Sequence, residues 1–278
     1  MNMLYLVATP IGNLEDITLR ALKVLNSVEI LACEDTRNTQ KLLNHYEITG
    51  KKLISYHEHN EDKMSEKIIS YLEEGREVAL VTDAGMPCIS DPGYILVEKI
   101  KKAGLPITAL PGANAGLTAL VASGIESYNY TFYGFLPRKS KDLKLKLEEI
   151  LKVNTTAILY ESPHRVKNLV EEISKIALTR KISVARELTK MFEQIETSSA
   201  EEILEMLGNK IKEKGEFVVI ISPNKDEKSE EVNVDELVEL IYQKVQSGVK
   251  KSEAIKNIAK EFGINKKEVY SLYHEKYD

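Results

Sequence analysis

Two kinds of apolar run alternate along residues 1–112. Short runs of aliphatic and β-branched residues, bounded by glycine, proline or polar breakers, are typical of buried strands. Longer runs between them repeat apolar residues at helical spacing, so the alternation predicts a mostly parallel sheet with helices on both faces. The predicted strands are Leu4–Ala8, Val28–Ala32, Lys52–Tyr56, Glu77–Thr82 and Ile107–Leu110, and the predicted helices are Ile17–Leu25, Thr39–His45, Met64–Glu74 and Gly93–Lys102.

The same alternation begins again after Pro111. Phe192–Thr197 fits an additional strand that follows a bend at Arg186–Lys190. We therefore predict two α/β domains, 1–112 and 113–224, with a ligand cleft between them at the carboxyl ends of the strands. The other strands predicted here are Thr131–Gly134, Thr155–Glu161, Lys181–Glu187 and Glu216–Ser222, and the helices are Lys141–Lys152, Pro163–Ile176 and Ala200–Lys212.

The last part of the chain follows a polar linker at Asn224–Glu231 and carries only helical spacing. The helical runs Val234–Gln246, Lys251–Phe262 and Lys266–Tyr273, with a turn at 263–265, predict a small three-helix domain at 232–278. The spacing is similar to a helix-turn-helix. A three-helix cap that buries its own core and touches no nucleic acid explains it equally well.

Composition adds weak and conflicting evidence about the ligand. The 278 residues are 43% hydrophobic and 29% charged, which is enough to bury cores and excludes a disordered polyelectrolyte. The net charge of −5 is unusual for a protein that binds nucleic acid. Two local basic runs argue the other way, and they consist of Arg138, Lys139, Lys141, Lys144 and Lys146, and of Lys250, Lys251, Lys266 and Lys267.

Several classes of protein are disfavoured. The two cysteines, Cys33 and Cys88, are too few for a disulfide framework or a metal knuckle, and no compact set of metal ligands occurs elsewhere. No apolar stretch is long enough to cross a bilayer, and Met1–Pro10 lacks the features of a signal peptide. We expect a cytoplasmic protein without a metal and without a membrane partner.

Five loops of small and polar residues follow predicted strands, and the first is Ala8–Leu14. Pro10 and Gly12 bend the chain there and allow a ligand to approach the backbone, before Asp16 caps the next helix. A tight strand-to-helix turn without a ligand is the simpler alternative.

The second loop places two carboxylates and an arginine at a strand end. Glu34, Asp35 and Arg37 are poor core residues and suit a functional site. In the alternative interpretation, Asp35 or Thr36 caps the following helix and Arg37 lies on the surface.

The third loop, Val81–Gly93, is the richest in small and acidic residues. Asp83 stands at the strand end before Ala84 and Gly85, where a backbone can lie against a ligand. Asp91 followed by proline fits a helix cap. The glycine spacing does not match the dinucleotide fingerprint, and no Walker lysine is present, so classical NAD and ATP sites are disfavoured.

The fourth and fifth loops follow Leu110 and Tyr160. Leu110–Gly116 turns sharply, and the free N–H groups of its helix are suited to a ligand carboxylate. In the fifth loop, Ser162 and Pro163 fit a cap and first turn, which leaves three polar residues near the mouth of the cleft. A lone surface histidine is usually without function, so the cluster is the argument for these three, which are Glu161, His164 and Arg165.

Together, these loops resemble the motifs of the 16S rRNA (cytidine-2′-O-)-methyltransferase family, which belongs to the tetrapyrrole-methylase-like class of methyltransferases. The resemblance extends from about Met3 to Ser222. It implies a two-domain fold of the class III methyltransferase type, a homodimer, S-adenosyl-L-methionine in the interdomain cleft and a target cytidine in the decoding centre of small-subunit ribosomal RNA. The runs that carry it are Leu4–Leu14, Glu34–Arg37, Asp83–Gly93, Pro111–Ala115, Phe132–Arg138, Tyr160–Arg165 and Ala185–Leu188.

The resemblance also implies roles for individual residues. Methyl transfer from a sulfonium requires alignment and exclusion of water, and a ribose hydroxyl is a weak acid that benefits from a base or a cation. Cofactor contacts are expected from Pro10, Gly12, Asp83, Ala84, Gly85, Met86, Ala113, Asn114 and Tyr160, and RNA contacts from Arg37, Arg138, Lys139 and Arg165. Residue type alone, and not the resemblance, suggests the candidate proton acceptors Glu34, Asp35, Glu58, Glu161 and Glu187, with Arg37, His57, His164, Arg165 and Arg186 as electrostatic partners.

Two other functions fit the same architecture. A methyltransferase acting on a small tetrapyrrole shares the fold, since fold does not decide substrate; the runs Glu34–Arg37 and Ser162–Arg165 and the lysines near the end argue against it. A non-catalytic ribosome-assembly factor is expected to have lost the small residues that admit a cofactor. Those residues are present here as Pro10, Gly12, Ala84, Gly85, Gly112 and Ala113.

Overall fold

The computed structural model describes residues 3–224, 234–261 and 266–277. The chain forms two compact units, Met1–Pro223 and Asn224–Asp278. The first unit contains two five-stranded sheets, and the second is helical.

The first sheet is entirely parallel, with strand order β3-β2-β4-β1-β5. One apolar cluster, around Ile68 and Leu96, packs between one face and α3 and α4, and another, around Leu25 and Leu43, packs under α1 and α2 on the opposite face. Because the five strands are parallel, their carboxyl ends all lie at the same edge of the sheet. The elements are β1 (Leu4–Val7), α1 (Leu19–Ser27), β2 (Ile30–Cys33), α2 (Thr36–His45), β3 (Lys52–Ser55), α3 (Glu61–Glu73), β4 (Val78–Val81), α4 (Tyr94–Lys102) and β5 (Ile107–Leu110).

The second sheet is mixed, with order β6-β7-β10-β8-β9; only β6 and β7 pair in parallel. Its elements are α5 (Ala115–Ala122), β6 (Tyr130–Phe135), α6 (Ser140–Ile150), β7 (Thr156–Glu161), α7 (Val166–Ile176), β8 (Lys181–Arg186), β9 (Gln194–Ser199), α8 (Ala200–Met206) and β10 (Phe217–Ile221).

Different helices cover the two faces of this second sheet. Helices α6, α7 and α8 pack on one face. On the other face, α5 packs with Ile158 and Ile220, and Ile11 from the loop after β1 joins the same cluster. Ile11 thus ties the first sheet to the second. The structure thus has the two predicted α/β halves, followed by C-terminal helices.

The second unit contains α9 (Val234–Gln246), α10 (Lys251–Glu261) and α11 (Lys266–Tyr277). Their apolar faces meet around Ile241, Ile255 and Tyr273, so the three helices bury a core of their own. The predicted turn at 263–265, and the predicted linker beyond residue 224, lie outside the described residues. Both a helix-turn-helix and a three-helix cap domain are expected to have such a core, so the core does not distinguish between these two interpretations.

Four local predictions were wrong. Helix α8 ends at Met206 and not at Lys212, because Gly208 adopts a φ of 84° and donates its N–H to the carbonyl of Ile211. Thr18 caps α1, whereas Asp16 lies in a preceding short 3₁₀ turn. Gly93 is the N-cap of α4, so Asp91 is not a cap. Helix α7 begins at Val166, after a turn that Ser162 closes through its backbone carbonyl.

Candidate functional site

A cavity of about 360 Å³ lies between the two sheets, beyond the carboxyl ends of the strands of the first sheet. Its size lies in the range of small-molecule sites. We call it the first cavity. The first-sheet loops contribute Ile11, Ala84, Gly85, Met86, Ile89, Ser90, Asp91, Asn114 and Ala115 to its lining, and the second half contributes Phe135, Tyr160, Glu161, Ser162, Pro163, Leu188, Gly215, Glu216, Phe217 and Val218.

The loop after β4 is held rigidly against the loop after β1. Gly85 and Thr9 exchange two backbone hydrogen bonds, of 2.9 and 3.0 Å. Farther along the β4 loop, Cys88 and Ser90 adopt left-handed backbone conformations, with φ of 70° and 64°. Non-glycine residues in this region are strained, and such strain is concentrated at functional sites. The β4 loop therefore has a fixed conformation, and it forms one wall of the first cavity.

Tyr160 forms part of the opposite wall. Its hydroxyl accepts a hydrogen bond from the backbone N–H of Gly116 at 3.2 Å. Its ring makes edge contacts with Phe132 and Phe135, at centroid distances of 5.0 and 5.8 Å. Burial raises the pKa of the Tyr160 phenol, so the phenol stays protonated. The residue presents a fixed aromatic surface to a ligand.

The start of α5 differs from the prediction that its N–H groups are free for a ligand. The side chain of Asn114 accepts the N–H of Leu117 at 2.9 Å, and Tyr160 takes the N–H of Gly116. These two donors of the first turn are already satisfied within the protein. Asn114 therefore caps the helix and lines the first cavity at the same time.

Glu161 is the most deeply buried acidic residue that lines this cavity, with a side-chain exposure of 1%. Its Oε1 accepts the N–H of Ser162 at 2.8 Å, and its Oε2 lies 3.3 Å from Nη2 of Arg165. That ion pair does not have hydrogen-bond geometry, and Oε2 has no hydrogen-bond donor within the described part of the chain. A buried carboxylate oxygen in this state is suited to a ligand that brings a donor.

Arg165 is held in place by other contacts as well. Its Nη2 also donates to the backbone carbonyls of Leu136 and Pro137, both at 3.1 Å. Arg165 thus positions Glu161 and the end of β6. His164, although next to it in sequence, is exposed and lines neither this cavity nor the second one described below.

An acidic cluster borders the first cavity at the ends of β2 and β4. Asp91 lines the cavity and is half-buried. Burial, followed by the negative charges of Glu34 and Asp83, raises the pKa of Asp91 to about 7, although a hydrogen bond from Thr82 opposes the shift. The pKa of Glu34 is also raised, mainly by burial and then by Asp83. Asp91 is therefore a carboxylate that gains and loses its proton near neutral pH.

Sequence reasoning missed Asp91 because Asp-Pro fits the start of a helix. The sequence did contain a signal for it, because Asp91 is a second carboxylate, after Asp83, in a loop that was expected to bind a ligand. Gly93 takes the capping position, and a Cβ on it is expected to lie 2.6 Å from Sγ of Cys88.

The raised pKa of Asp91 predicts a pH-dependent effect on stability. Its folded pKa exceeds 3.8, the ordinary pKa of an aspartate, so its favourable contribution to stability is complete below that value and is lost as pH rises through about 7. We expect Asp91→Asn to have a higher Tm than wild type at pH 8, and the difference to shrink towards pH 4. Thermal unfolding followed by circular dichroism at both values measures this.

Asp35→Asn is the matched control, because this substitution should change the stability at pH 8 in the opposite direction. Hydrogen bonds from the Arg37 side chain and then from its backbone lower the pKa of Asp35 to about 2. Its ionised form stabilises the fold, so this variant should be less stable than wild type at pH 8. A pH-independent Tm difference for Asp91→Asn contradicts the assigned environment.

A second cavity of about 350 Å³ adjoins the first. Ile11, Ala84 and Glu216 line both. The other residues that line the second cavity are Thr9, Pro10, Gly12, Leu14, Asn38, Thr39, Lys41, Leu42, Thr82, Asp83 and Lys190.

The residues expected to contact the cofactor divide between the two cavities. Five line the first: Ala84, Gly85, Met86, Asn114 and Tyr160. Ala84 also lines the second, together with Pro10, Gly12 and Asp83, whereas Ala113 lines neither and packs against the core beside Ile11. A Cβ on Gly12 is expected to lie 2.5 Å from Cγ of Lys190, so the absence of a side chain there makes room for the lysine stem.

Three other candidates serve as structural contacts. Asp35 caps α2 and binds Arg37, whose exposed guanidinium lies 2.6 Å from the carboxylate. Glu187, in a left-handed conformation, binds Lys190 at 2.8 Å and the backbone N–H of Glu216 at 3.0 Å. Neither Asp35, Arg37 nor Glu187 lines either cavity. Glu34 acts on the first cavity through its charge on Asp91.

The remaining expected contacts are placed as follows. Arg186 is buried, and its guanidinium donates to the carbonyls of Lys214 and Phe192. Arg138 and Lys139 are exposed at the end of β6 and line neither cavity. Among residues 3–224, 234–261 and 266–277, no three His, Cys, Asp or Glu side chains are placed to hold a metal ion. No helix within those ranges is long and apolar enough to cross a membrane.

Comparison with known proteins gives a consistent family. The model of the Tetrapyrrole (Corrin/Porphyrin) Methylases matches residues 3–204. The Ribosomal RNA small subunit methyltransferase I of Halalkalibacterium halodurans is 45% identical over 275 residues, which cover 98% of this chain and 94% of that protein. The protein of the same name from Bacillus subtilis is 44% identical over 280 residues, covering 99% and 95%.

Solved structures share the fold over most of the chain. A cobalt precorrin-4 methyltransferase aligns with a TM-score of 0.57 at 18% identity, covering 80% of this chain and 95% of that one. A uroporphyrin-III-C-methyltransferase from Thermus thermophilus aligns with a TM-score of 0.54 at 18% identity, covering 80% and 94%. Likeness at this level of identity shows the fold alone.

The first cavity fits the cofactor of this family. S-adenosylmethionine carries an ammonium group, hydroxyls and an adenine ring, and the cavity offers the unsatisfied Oε2 of Glu161 and the ring of Tyr160. Gly85, with a φ of 86°, allows the backbone of the β4 loop to face the ligand without an intervening side chain. The chain belongs to the tetrapyrrole methylase family, within the group of ribosomal RNA small subunit methyltransferase I proteins, and is an S-adenosylmethionine-dependent methyltransferase.

Proposed function

We propose that this chain methylates the 2′-hydroxyl of a cytidine ribose in the decoding centre of 16S ribosomal RNA. The names of the two bacterial relatives support small-subunit ribosomal RNA as the substrate, since the alignments cover almost the whole of both proteins. The sequence runs that resemble the cytidine-2′-O-methyltransferase motifs support the finer assignment. By the same resemblance, the protein acts as a cytoplasmic homodimer on the small ribosomal subunit or its precursor.

The first cavity is the proposed cofactor site, with Ala84, Gly85, Met86, Asn114 and Tyr160 as contacts. When bound there, S-adenosylmethionine supplies an electrophilic methyl group on a positively charged sulfur. Glu161 is proposed to accept a hydrogen bond from the cofactor through Oε2, and Arg165 to hold that carboxylate in place. Phe135 and Leu188 add apolar side chains to the lining of this site.

The observation that carries the proposed reaction is the presence of Asp91 in the wall of this cavity. A ribose hydroxyl must lose its proton as its oxygen bonds to the methyl carbon. Asp91, with a pKa of about 7, is matched to accept that proton at neutral pH. Glu34 raises the affinity of Asp91 for the proton through its negative charge.

The other sequence candidates take supporting roles in this proposal. Three exposed cations are proposed to contact RNA phosphates, and they are Arg37, Arg138 and Lys139. Asp35 orients Arg37, and Glu187 orients Lys190 at the border of the second cavity. His164 is exposed beside Arg165 and is assigned to the RNA-facing surface.

Methylation of purified small subunits tests the proposed function. Subunits from a strain that lacks this gene should take up tritium from labelled S-adenosylmethionine, and nuclease digestion should yield labelled 2′-O-methylcytidine from one site. Subunits from the parent strain, already modified, are the control and should stay unlabelled. Label on a base, or label on a uroporphyrinogen-type compound with none on subunits, contradicts the proposal.

A further inference from the structure

We propose that the second cavity binds the backbone phosphate of the acceptor nucleotide, with Lys41 as its phosphate contact, so that the ribose hydroxyl enters the first cavity, which Asp91 lines. This inference rests on the proposed function, because it assumes that the methyl acceptor is RNA. It assigns Pro10, Gly12 and Asp83 to the acceptor side of the site.

The position of the second cavity supports this assignment. The two cavities have a common border formed by Ile11, Ala84 and Glu216. In a direct transfer the attacking oxygen must come within roughly 3–3.5 Å of the methyl carbon. An acceptor that binds in a cavity with lining residues in common with the cofactor cavity lies next to the cofactor, as a direct transfer requires.

Most charged side chains of the second cavity already have ion-pair or hydrogen-bond partners within the protein. Nζ of Lys190 lies 2.8 Å from Oε1 of Glu187 and 2.9 Å from Oε2 of Glu216. Asp83 accepts hydrogen bonds from Nδ2 of Asn38 at 2.8 Å and from the backbone N–H of Asp35 at 3.2 Å. These groups fix the shape of the cavity and its pattern of hydrogen bonds.

Lys41 differs from them. It lines the cavity from an exposed position on α2 and forms no ion pair with any carboxylate in the described residues. Its hydrogen bond to Oδ1 of Asn38 is long, at 3.5 Å. A cation without a carboxylate partner at the rim of a polar cavity is suited to a phosphate, the group that dominates the affinity of proteins for RNA.

Charge reversal at Lys41 tests the assignment. We expect Lys41→Glu to raise the KM for small subunits by roughly tenfold or more, as for the loss of a charged hydrogen bond. The value of kcat at saturation and the affinity for S-adenosylmethionine should stay within about twofold of wild type. Lys41→Arg should restore KM, and the slope of log KM against log salt should fall by about one for Lys41→Ala.

Lys101→Glu is the matched control, since Lys101 is exposed near the C-terminal end of α4, at the sheet edge opposite the strand ends. Equal KM values for Lys41→Glu and Lys101→Glu overturn the inference and leave the proposed function standing. If wild type binds the cofactor but methylates no small subunits, the proposed function fails and the inference fails with it.

Discussion

Replacing Asp91 with asparagine should lower kcat by about 10²- to 10⁴-fold, the usual contribution of a general base. The amide is nearly the same size as the carboxylate but cannot accept the proton of the ribose hydroxyl. Affinity for S-adenosylmethionine should change little, because Glu161, Tyr160 and the β4 backbone remain. Single-turnover methylation of small subunits, together with calorimetric titration of the cofactor, separates the two effects.

The pH profile distinguishes a base from a structural residue. A base must be ionised, so the wild-type rate should rise with pH through about 7 and then level off. Glu34→Gln removes a negative charge that raises the pKa of Asp91, and should move this midpoint to lower pH. Asp91→Asn should lose the inflection. A rate within a few-fold of wild type, or an unchanged midpoint, rules out Asp91 as the acceptor.

The fold could be predicted because each element has a strong local pattern. Strand β2, Ile30–Cys33, is aliphatic throughout and fully buried, as parallel strands covered on both faces are. Strand β9 was harder, since Gln194–Ser199 is polar and partly exposed. The strand begins two residues after the predicted start, and the backbone carbonyl of Phe192 accepts a hydrogen bond from Arg186 instead of extending the strand.

The site could be predicted only as a set of loops. Which cavity each residue lines depends on contacts between distant parts of the chain, such as Gly12 against Lys190. These two residues are far apart in the chain, so no local sequence pattern predicts their contact. Asp91 was missed for a related reason: its local sequence fits a cap, while its burial and its proximity to Glu34 arise only when β2 and β4 lie side by side.

Filling the first cavity should abolish most cofactor binding without unfolding the protein. Ala115 lines this cavity, but not the second, at the start of α5. We expect Ala115→Leu to weaken S-adenosylmethionine binding by roughly 100-fold, since overpacking a filled site costs about 1–3 kcal/mol. The control is Ala122→Leu, at an exposed position of the same helix, which should bind normally. If Ala115→Leu keeps its Tm and its cofactor affinity, the cofactor does not occupy the first cavity; Pro10 and Asp83 then mark the alternative, because they line the neighbouring cavity.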